Sequence, residues 1–544
     1  MSPEDRKGLL HVSAFDPSAL VGSVLMAAFS AVICMQIVCR IGITPNTSII
    51  GAVLAMALAR VPLASLSSKF KSLERQNLLQ TAASAGGFAA ANCFLFTAGV
   101  LYLMGNRNMV VPMVIGSLIA VCVGILMIGR LFDSPLFPGE APWPPGVATA
   151  AAIVAGDQGG KKLRRLLEGT AAGVVGSYFG LPMAGIGIVF IANVYSMTAL
   201  GVGLVARGYS KQLFSGFEIA KSYIPHGVMI GAGIVALVQA VGIILRYSRK
   251  KRAPLETETA PSGAEPLRNE TDHNEDGQFT VSADAARKGL VQSTLMFLVG
   301  ALALAVIAGI LTQMTAGQIV VWFAWATFSA LVAAVLGGLC AMHSGWFPGF
   351  PMPLIFMSIG LFLRIPAVPL ALLIGFVASI TPVFADMGYD LKTGWLLRGK
   401  GANRAYEMAG RKQQVYSELI GAAVGFVVAL ALLDMHFRLN LLPPVATVFA
   451  STIKVGAKPE IIRQLVMWAI PGAILQAIGG SARQMGILLA TGLLIQSPVY
   501  GVGVLIAVVI RLIIGTEVME IREAGLIAGD GIYGFASAIV KAFL

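Results

Sequence analysis

The chain has 544 residues, of which 56% are hydrophobic and 12% are charged, and its formal net charge is +12. A soluble domain carries about a quarter charged residues, so this composition excludes a water-covered globular protein. Lys and Arg lie in short loops between apolar runs, which is typical of cytoplasmic loops and gives no support to a nucleic-acid partner.

The first half of the chain consists of apolar runs long enough to cross a ~30 Å hydrocarbon core as helices. They cover residues 18–41, 47–63, 76–104, 109–132, 163–180, 183–206 and 223–246. A shorter apolar piece, 144–155, follows a proline pair. It is too short to span at about 1.5 Å per residue, so we expect a half-helix or a re-entrant segment there.

Residues 248–289 differ from everything around them. The stretch is rich in charged residues, has no periodicity and contains few large apolar residues. This composition predicts a disordered linker. Its basic beginning, Arg249 to Arg252, favours a cytoplasmic location. The predicted organisation is therefore an N-terminal transmembrane half (1–247), this linker, and a C-terminal transmembrane half (290–544).

The second half repeats the apolar character of the first. Its runs cover 290–311, 317–341, 350–363, 366–384, 413–433, 464–479, 484–510 and 524–543, and the short piece 444–453 again follows a proline pair. Lipid offers the backbone no hydrogen-bond partners, so each run must be helical. The fold class predicted is an all-α polytopic membrane protein with about 14–16 transmembrane helices.

The two halves also share an order of features, which indicates internal duplication. The corresponding segments are 144–157 with 443–457, 183–190 with 485–492, and 84–103 with 344–363. Repeats of this kind are a recurrent plan of secondary transporters, with the site at the interface between them. The segments expected to meet around that site are 84–104, 144–160, 344–363 and 444–456.

Several short motifs resemble those of the oligopeptide transporter family, which includes the yellow-stripe metal-chelate carriers. Residues 390–394 read DLKTG and residues 411–414 read RKQQ, similar to two motifs that the family has in this order. Residues 145–160 are similar to its P-x-G-T-A…A-G-E-x-G-G pattern, 526–530 to G-L-I-A-G-E, and 80–86 to Q-T-x-A-S-A-G. The matches extend over nearly the whole chain.

The resemblance, which is to bacterial-type members, implies proton-coupled uptake of small peptides or peptide-like metal chelates across a bacterial inner (plasma) membrane. It implies a proton gradient as the energy source, no cofactor, and a homodimer. The sequence contains no G-x-x-x-x-G-K-[ST] loop and no G-x-S-x-G or H-E-x-x-H motif. The alternatives left open are a passive pore for a small polar solute and an intramembrane enzyme.

Acidic residues at Gly-rich breaks are the first candidates for the site, because an ionisable group in a membrane costs roughly 2.5–3.5 kcal/mol to insert. Asp157, with its neighbour Gln158, follows a predicted half-helix, and Asp530 lies in a similar Gly-Asp-Gly break. Both acids could bind a proton or a substrate amine. The alternative is that each caps a helix.

Asp386 and Asp390 are four residues apart and would share one helix face, an arrangement that suits proton pickup. Lys392 could hold a substrate carboxylate. The alternative for all three residues is a solvated helix end. Glu168 and Glu418 each enter an apolar run about one turn in, where a helix dipole would favour an acid without any transport role.

The remaining candidates are Asn92, His343 and Trp346. His343 lies at a Pro/Gly-rich break and could titrate near neutral pH. Trp346 belongs to a proline-rich stretch that cannot stay helical, and such a backbone at membrane depth must line a cavity or be buried in protein. Asn92 lies in the segment that corresponds to it in the first half. The alternative for His343 and Trp346 is a packed loop.

Overall fold

The protein is described here from a computed structural model. The described residues are 11–41, 47–48, 51–52, 72–158, 160–213, 216–219, 222–250, 279–345, 347, 349, 351–455, 459–495 and 497–543. Trp346 and most of the predicted linker, residues 251–278, lie outside them.

Helices make up both halves. In the first half they are α1 (Pro17–Ile41), α2 (Leu73–Phe88), a π-helix (Ala89–Leu95), α3 (Phe96–Leu103), α4 (Val110–Leu131), α5 (Pro144–Gln158), α6 (Gly160–Tyr178), α7 (Met183–Ile191), α8 (Val194–Leu213) and α9 (Ile224–Lys250). In the second half they are α10 (Ala283–Ile307), α11 (Ala316–Ser344), α12 (Pro351–Phe362), α13 (Ala367–Ala378), α14 (Ile380–Leu397), α15 (Arg404–Arg438), α16 (Pro444–Val455), α17 (Pro459–Arg483), α18 (Met485–Leu494), α19 (Pro498–Ile514) and α20 (Arg522–Phe543).

The predicted fold class, an all-α polytopic membrane protein, is confirmed. Within the described residues, 7 helical segments are long and apolar enough to cross a membrane. They are Pro17–Cys39, Leu73–Leu103, Arg107–Leu131, Ala283–Ile307, Ala316–Ser344, Ala367–Leu397 and Arg404–Arg438. Shorter apolar helices accompany them, and the count of 14–16 crossings stays a prediction, as do the boundaries of the two halves and the linker.

The order of short and long helices repeats in the two halves. Helices α5 to α8 have 15, 19, 9 and 20 residues, and helices α16 to α19 have 12, 25, 10 and 17. The short helices α5 and α16 begin at the two proline pairs, as the sequence predicts. Proline fixes φ near its helical value. It also lacks a backbone N–H, which would have no acceptor within the first turn, so proline suits the start of a helix.

The halves interlock through glycine-rich helix faces. Gly169 and Gly173 of α6 lie against Gly525 and Gly529 of α20, and a Cβ atom at Gly173 would come within 2.6 Å of the Leu526 carbonyl oxygen. Helix α9 packs on α17 in the same manner, with Gly227 against Leu465 and Trp468. Small residues four apart let helix backbones approach closely in a membrane. The last helix of each half therefore packs on the first long helix of the other half's repeated unit.

The four segments expected to surround a common site make contacts with one another. Phe88 and Phe347 pack edge to face with ring centroids 5.8 Å apart, and Phe96 packs likewise on Phe449 at 5.1 Å. The Trp143 backbone N–H, just before α5, donates to the Met342 carbonyl oxygen of α11 at 2.8 Å. These contacts bring 84–104 against 344–363 and 444–456, and the start of α5 near the end of α11, while their convergence around one common site stays a prediction.

Candidate functional site

Three carboxyl groups meet in the protein interior where α14 and α15 pack against each other and against α2. Asp386 and Asp390 lie one turn apart on α14, and Glu418 faces them from α15. Carboxylate oxygens of the three residues lie within 4.8 Å of one another. Asp386 is 2% exposed and the other two are 0% exposed. We call these three residues the carboxyl cluster.

Hydroxyl groups hold one side of Asp386. Its Oδ1 atom accepts hydrogen bonds from Ser84 Oγ of α2 at 2.8 Å, from Thr47 Oγ1 at 3.2 Å and from Ser48 Oγ at 3.4 Å. Its Oδ2 atom is buried and has no hydrogen-bond partner among the described residues. One carboxyl oxygen of Asp386 is thus anchored, and the other is left open toward the cluster.

Asp390 is anchored by amide side chains instead. The Gln80 Nε2 group of α2 donates to Asp390 Oδ1 at 2.6 Å, and the Gln414 Nε2 group of α15 donates to the Asp390 backbone oxygen at 2.7 Å. Asp390 Oδ2 and Gln80 Oε1 are buried without a hydrogen-bond partner among the described residues. Asp390 therefore repeats the half-anchored geometry of Asp386.

Glu418 is the least satisfied member of the carboxyl cluster. Both of its carboxyl oxygens are buried and receive no hydrogen bond from the described residues. An ionised carboxylate is costly to bury without a partner, and three like charges this close repel strongly where water is excluded. The arrangement can relieve this repulsion by holding protons or a small cation.

Lys392 is on the same helix but points elsewhere. Its Nζ donates to the Gly139 carbonyl oxygen at 2.7 Å and lies 4.6 Å from the centroid of the Trp395 ring. Thr393 donates to the Gly146 and Tyr389 carbonyl oxygens at 3.1 and 3.0 Å. These DLKTG residues therefore tie α14 to α5 and to the loop before it.

The RKQQ motif forms a second buried charged group at the other end of the α14–α15 contact. Glu407 accepts from Arg398 Nε at 2.7 Å and from Arg411 Nη2 at 3.2 Å. Arg411 also donates to the Phe132 carbonyl oxygen at 2.8 Å and to Thr280 Oγ1 at 2.7 Å. Thr280 lies within the predicted linker (248–289), so this network fastens the later part of that stretch to the helix core. We call Arg398, Glu407 and Arg411 the arginine cluster.

The acidic candidates at the Gly-rich breaks lie apart from the carboxyl cluster. Asp157 and Gln158 are exposed at the end of α5, where Gln158 accepts a hydrogen bond from Lys162 at 3.2 Å. Gly160 has a φ of +62, and this left-handed backbone conformation separates α5 from α6. Asp530 is half-buried on α20 and accepts a hydrogen bond from Ser177 of α6. The structure does not bring these two acids together.

Glu168 takes part in surface ion pairs. It binds Arg522 of α20 at 2.9 Å and Arg164 of its own helix at 3.0 Å. Hydrogen bonds from these two guanidinium groups, Arg522 first, hold the pKa of Glu168 below its ordinary value. The contacts fasten α6 to α20.

His343, Glu140, Asn193 and Gln484 line a cavity of about 400 Å³. The His343 ring, at the end of α11, is buried, and neither of its nitrogen atoms has a hydrogen-bond partner among the described residues. Asn92 lies in the π-helix, where its Nδ2 group donates to the Phe88 carbonyl oxygen at 3.3 Å. Long π-helices are rare and often occur at functional sites.

Sequence reasoning found two members of the carboxyl cluster and placed the third incorrectly. Glu418 was expected one turn into a helix, but α15 begins at Arg404, well before the apolar run that starts at 413. Asn403 caps this early start by accepting a hydrogen bond from the Tyr406 backbone N–H at 3.1 Å. Glu418 is therefore deep in the helix, where no dipole at a helix end accounts for it.

The anchoring residues Gln80 and Ser84 were not among the candidate site residues, although Ser84 begins the segment 84–104 expected around the site. Both lie in the segment 80–86, and they are one turn apart on a helix that the sequence marks as apolar. Two polar side chains at this spacing were the available signal.

A family model described as OPT oligopeptide transporter protein matches residues 17–214 and 208–541. No curated protein matches the chain.

Proposed function

The chain belongs to the oligopeptide transporter family, and on that premise we propose that it takes up small peptides or peptide-like metal chelates together with protons. The family is one of transporters and not of enzymes. The proton gradient would drive the uptake, and the carboxyl cluster would carry the protons.

The observation that supports this proposal is the burial of three carboxyl groups that form no ion pair with a cationic side chain of the described residues. Arg398 and Arg411 both bind Glu407, and Lys392 binds the Gly139 carbonyl oxygen. The donors that reach the cluster are the hydroxyl groups of Thr47, Ser48 and Ser84 and the amide group of Gln80, all uncharged. A site built this way changes its net charge whenever it gains or loses a proton.

The mechanism follows from that charge. Loading the carboxyl cluster with protons lowers its internal repulsion and allows α2, α14 and α15 to pack closely. Releasing the protons restores the repulsion and favours a state in which the cluster contacts water. Alternating access results when the substrate binds best to the loaded state, because a ligand shifts an equilibrium only through its different affinities for the two states.

The substrate can be identified by the thermal stabilisation that it gives to the protein on binding. Purified protein would be screened by thermal shift with di- to pentapeptides, glutathione and metal chelates. A ligand that binds only the folded carrier raises the melting temperature, by an amount equivalent to about 2.7 kcal/mol at a hundredfold excess over its Kd. We expect stabilisation by peptides or by chelates, and the active class supplies the probe for transport.

The transport test uses proteoliposomes loaded at pH 7.5 and diluted into buffer at pH 6. We expect the wild-type protein to accumulate a radiolabelled peptide above its external concentration, and a protonophore to abolish the accumulation. Asp390→Asn keeps the size and the oxygen that accepts from Gln80 but cannot ionise. This variant should lose accumulation and retain counterflow exchange, since exchange needs no net proton movement.

The matched control is Asp434→Asn, which removes an exposed acid of α15 that pairs with Arg438 at 2.6 Å. It should behave as wild type. Equilibration without accumulation by the wild-type protein, unaffected by the protonophore, would indicate a passive pore. Full accumulation by Asp390→Asn would remove this residue from the coupling mechanism.

The family resemblance supports two further proposals, a homodimer and a location in a bacterial inner membrane. Multi-angle light scattering of the detergent-solubilised protein tests the first proposal, with a protein mass twice that of the 544-residue chain as the expected result. Fractionation of inner and outer membranes tests the second.

A further inference from the structure

We propose that the cavity beside His343 binds the N-terminal end of a short peptide, with the free ammonium group at Glu140 and an apolar side chain against the cavity wall. The inference rests on the proposed transport function and narrows its substrate class. It concerns a part of the molecule separate from the carboxyl cluster.

Four parts of the chain that are distant in sequence build the cavity. They are the loop between α4 and α5, the turn between α7 and α8, the end of α11, and the end of α17 with the turn before α18. Its volume of about 400 Å³ lies at the lower end of the range for small-molecule sites, about 300–1,000 Å³. This size favours a short peptide over a long one.

The charge of the lining selects the ligand. Glu140 is the charged side chain among the lining residues, and it is exposed. It forms no direct ion pair with the described residues. The Lys392 ammonium is near enough to interact with it electrostatically, but donates its hydrogen bond to the Gly139 carbonyl oxygen. A carboxylate in such a position attracts an ammonium group and repels an anion. Carboxylate-rich chelators are therefore disfavoured as ligands here.

His343 is a buried polar group of the cavity, as is Gln484. Neither ring nitrogen has a hydrogen-bond partner among the described residues, although the side chain is only 6% exposed. A buried polar group without a partner is costly, and a ligand that supplies one recovers that cost. A peptide bond offers both a donor and an acceptor, which matches the two nitrogen atoms of a neutral imidazole.

Most of the remaining lining residues are apolar, and the polar ones among them are Asn193 and Gln484. The larger apolar residues are Pro135, Leu136, Pro138, Pro142, Leu339 and Met342. Met adapts to different side-chain shapes because it is unbranched and flexible. This surface suits an apolar side chain next to the peptide's free amino group and gives no charged contact to an acidic or basic side chain.

Binding to purified protein in detergent tests the proposal independently of transport. Isothermal titration would compare alanyl-leucine with N-acetyl-alanyl-leucine, which lacks the ammonium group. We expect acetylation to weaken binding by at least tenfold. Glu140→Gln should weaken binding of the free peptide by a similar factor and leave binding of the acetylated peptide unchanged. Glu517→Gln, at an exposed acid far along the chain, is the matched control and should bind as wild type.

His343→Leu removes the polar partner while keeping a side chain of comparable size. This variant should bind both peptides more weakly, by the same factor, since both peptides make the backbone contact with His343. An unchanged melting temperature of the unliganded variant shows that it folds normally.

Equal binding of the free and acetylated peptides, unaltered binding by Glu140→Gln, or no peptide binding at all would overturn the proposal. Failure of proton coupling is a separate result. A protein that binds peptides with this amine dependence but does not accumulate them would support the cavity assignment and contradict the proposed mechanism.

Discussion

Two glutamates of helix α15 occupy opposite electrostatic environments. Glu407 and Glu418 are both 0% exposed. Glu407 is paired with Arg398 and Arg411, which place two guanidinium groups around one carboxylate. Glu418 faces Asp386 and Asp390 and has no hydrogen-bond partner among the described residues.

The difference distinguishes a structural role for Glu407 from the transport role that we propose for Glu418. A buried ion pair with complete hydrogen bonding is stable only as a whole, so loss of one member leaves an uncompensated charge. A group of like charges is not needed for stability, and its presence requires another explanation. Intramembrane acids of this kind are typical of proton relays in transporters. The arginine cluster therefore holds the helices, while the carboxyl cluster is suited to change its charge.

Removing the charge of Glu407 should have the largest effect on stability. In Glu407→Gln the buried guanidinium groups of Arg398 and Arg411 lose their counter-charge, and we expect a loss of about 3–5 kcal/mol in the free energy of unfolding. Unfolding titrations in mixed micelles measure it. An exposed carboxylate of the same helix, in Asp434→Asn, provides the control. A stability equal to wild type would mean that the arginine cluster does not hold α14 and α15 together.

The same substitution at Glu418 should have a much smaller effect on folding. Glu418→Gln removes a carboxyl group that repels its neighbours and pairs with no cation of the described residues, so we expect stability to stay within about 1 kcal/mol of wild type, or to rise. Accumulation of peptide should nevertheless be lost. The pair Glu407→Gln and Glu418→Gln is its own control, because helix, burial and chemistry of the change are shared. Equal destabilisation of both variants would contradict the distinction between the clusters.

Among these substitutions, Asp157→Asn should have the smallest effect on stability and on transport. Its carboxylate is exposed at the end of α5, and substitutions at such sites usually change stability by no more than about 0.5 kcal/mol. Asn also caps a helix about as well as Asp. We expect Asp157→Asn to accumulate and exchange peptide as wild type does. A loss of accumulation with intact exchange would instead assign proton coupling to Asp157 and count against the carboxyl cluster.

Much of the molecule could be predicted from the sequence because its signals are local. Apolar runs located most of the helices, and the proline pairs located the short helices α5 and α16. The runs 183–206 and 484–510 were wrong as single helices, because each forms two helices. The one-turn spacing of Asp386 and Asp390 placed both on one face. The motif 526–530 was recognised, and the role of Asp530 in binding a proton or a substrate amine stays a prediction. Gly529 provides close packing of α20 on α6, while Asp530 accepts a hydrogen bond from Ser177.

The amino-acid sequence by itself determined that this protein lies in a lipid membrane and that its segments are helical. Both follow from hydrophobicity and backbone hydrogen bonding, which depend on neighbouring residues. Only the tertiary structure decided which acids meet. Asp386 and Glu418 are 32 positions apart, and Ser84 comes from the other half of the chain, so no local pattern could show that they share one site. The approach of α15 to α14 and α2 turned Glu418 into a partner of two aspartates, while the exposed end of α5 left Asp157 outside.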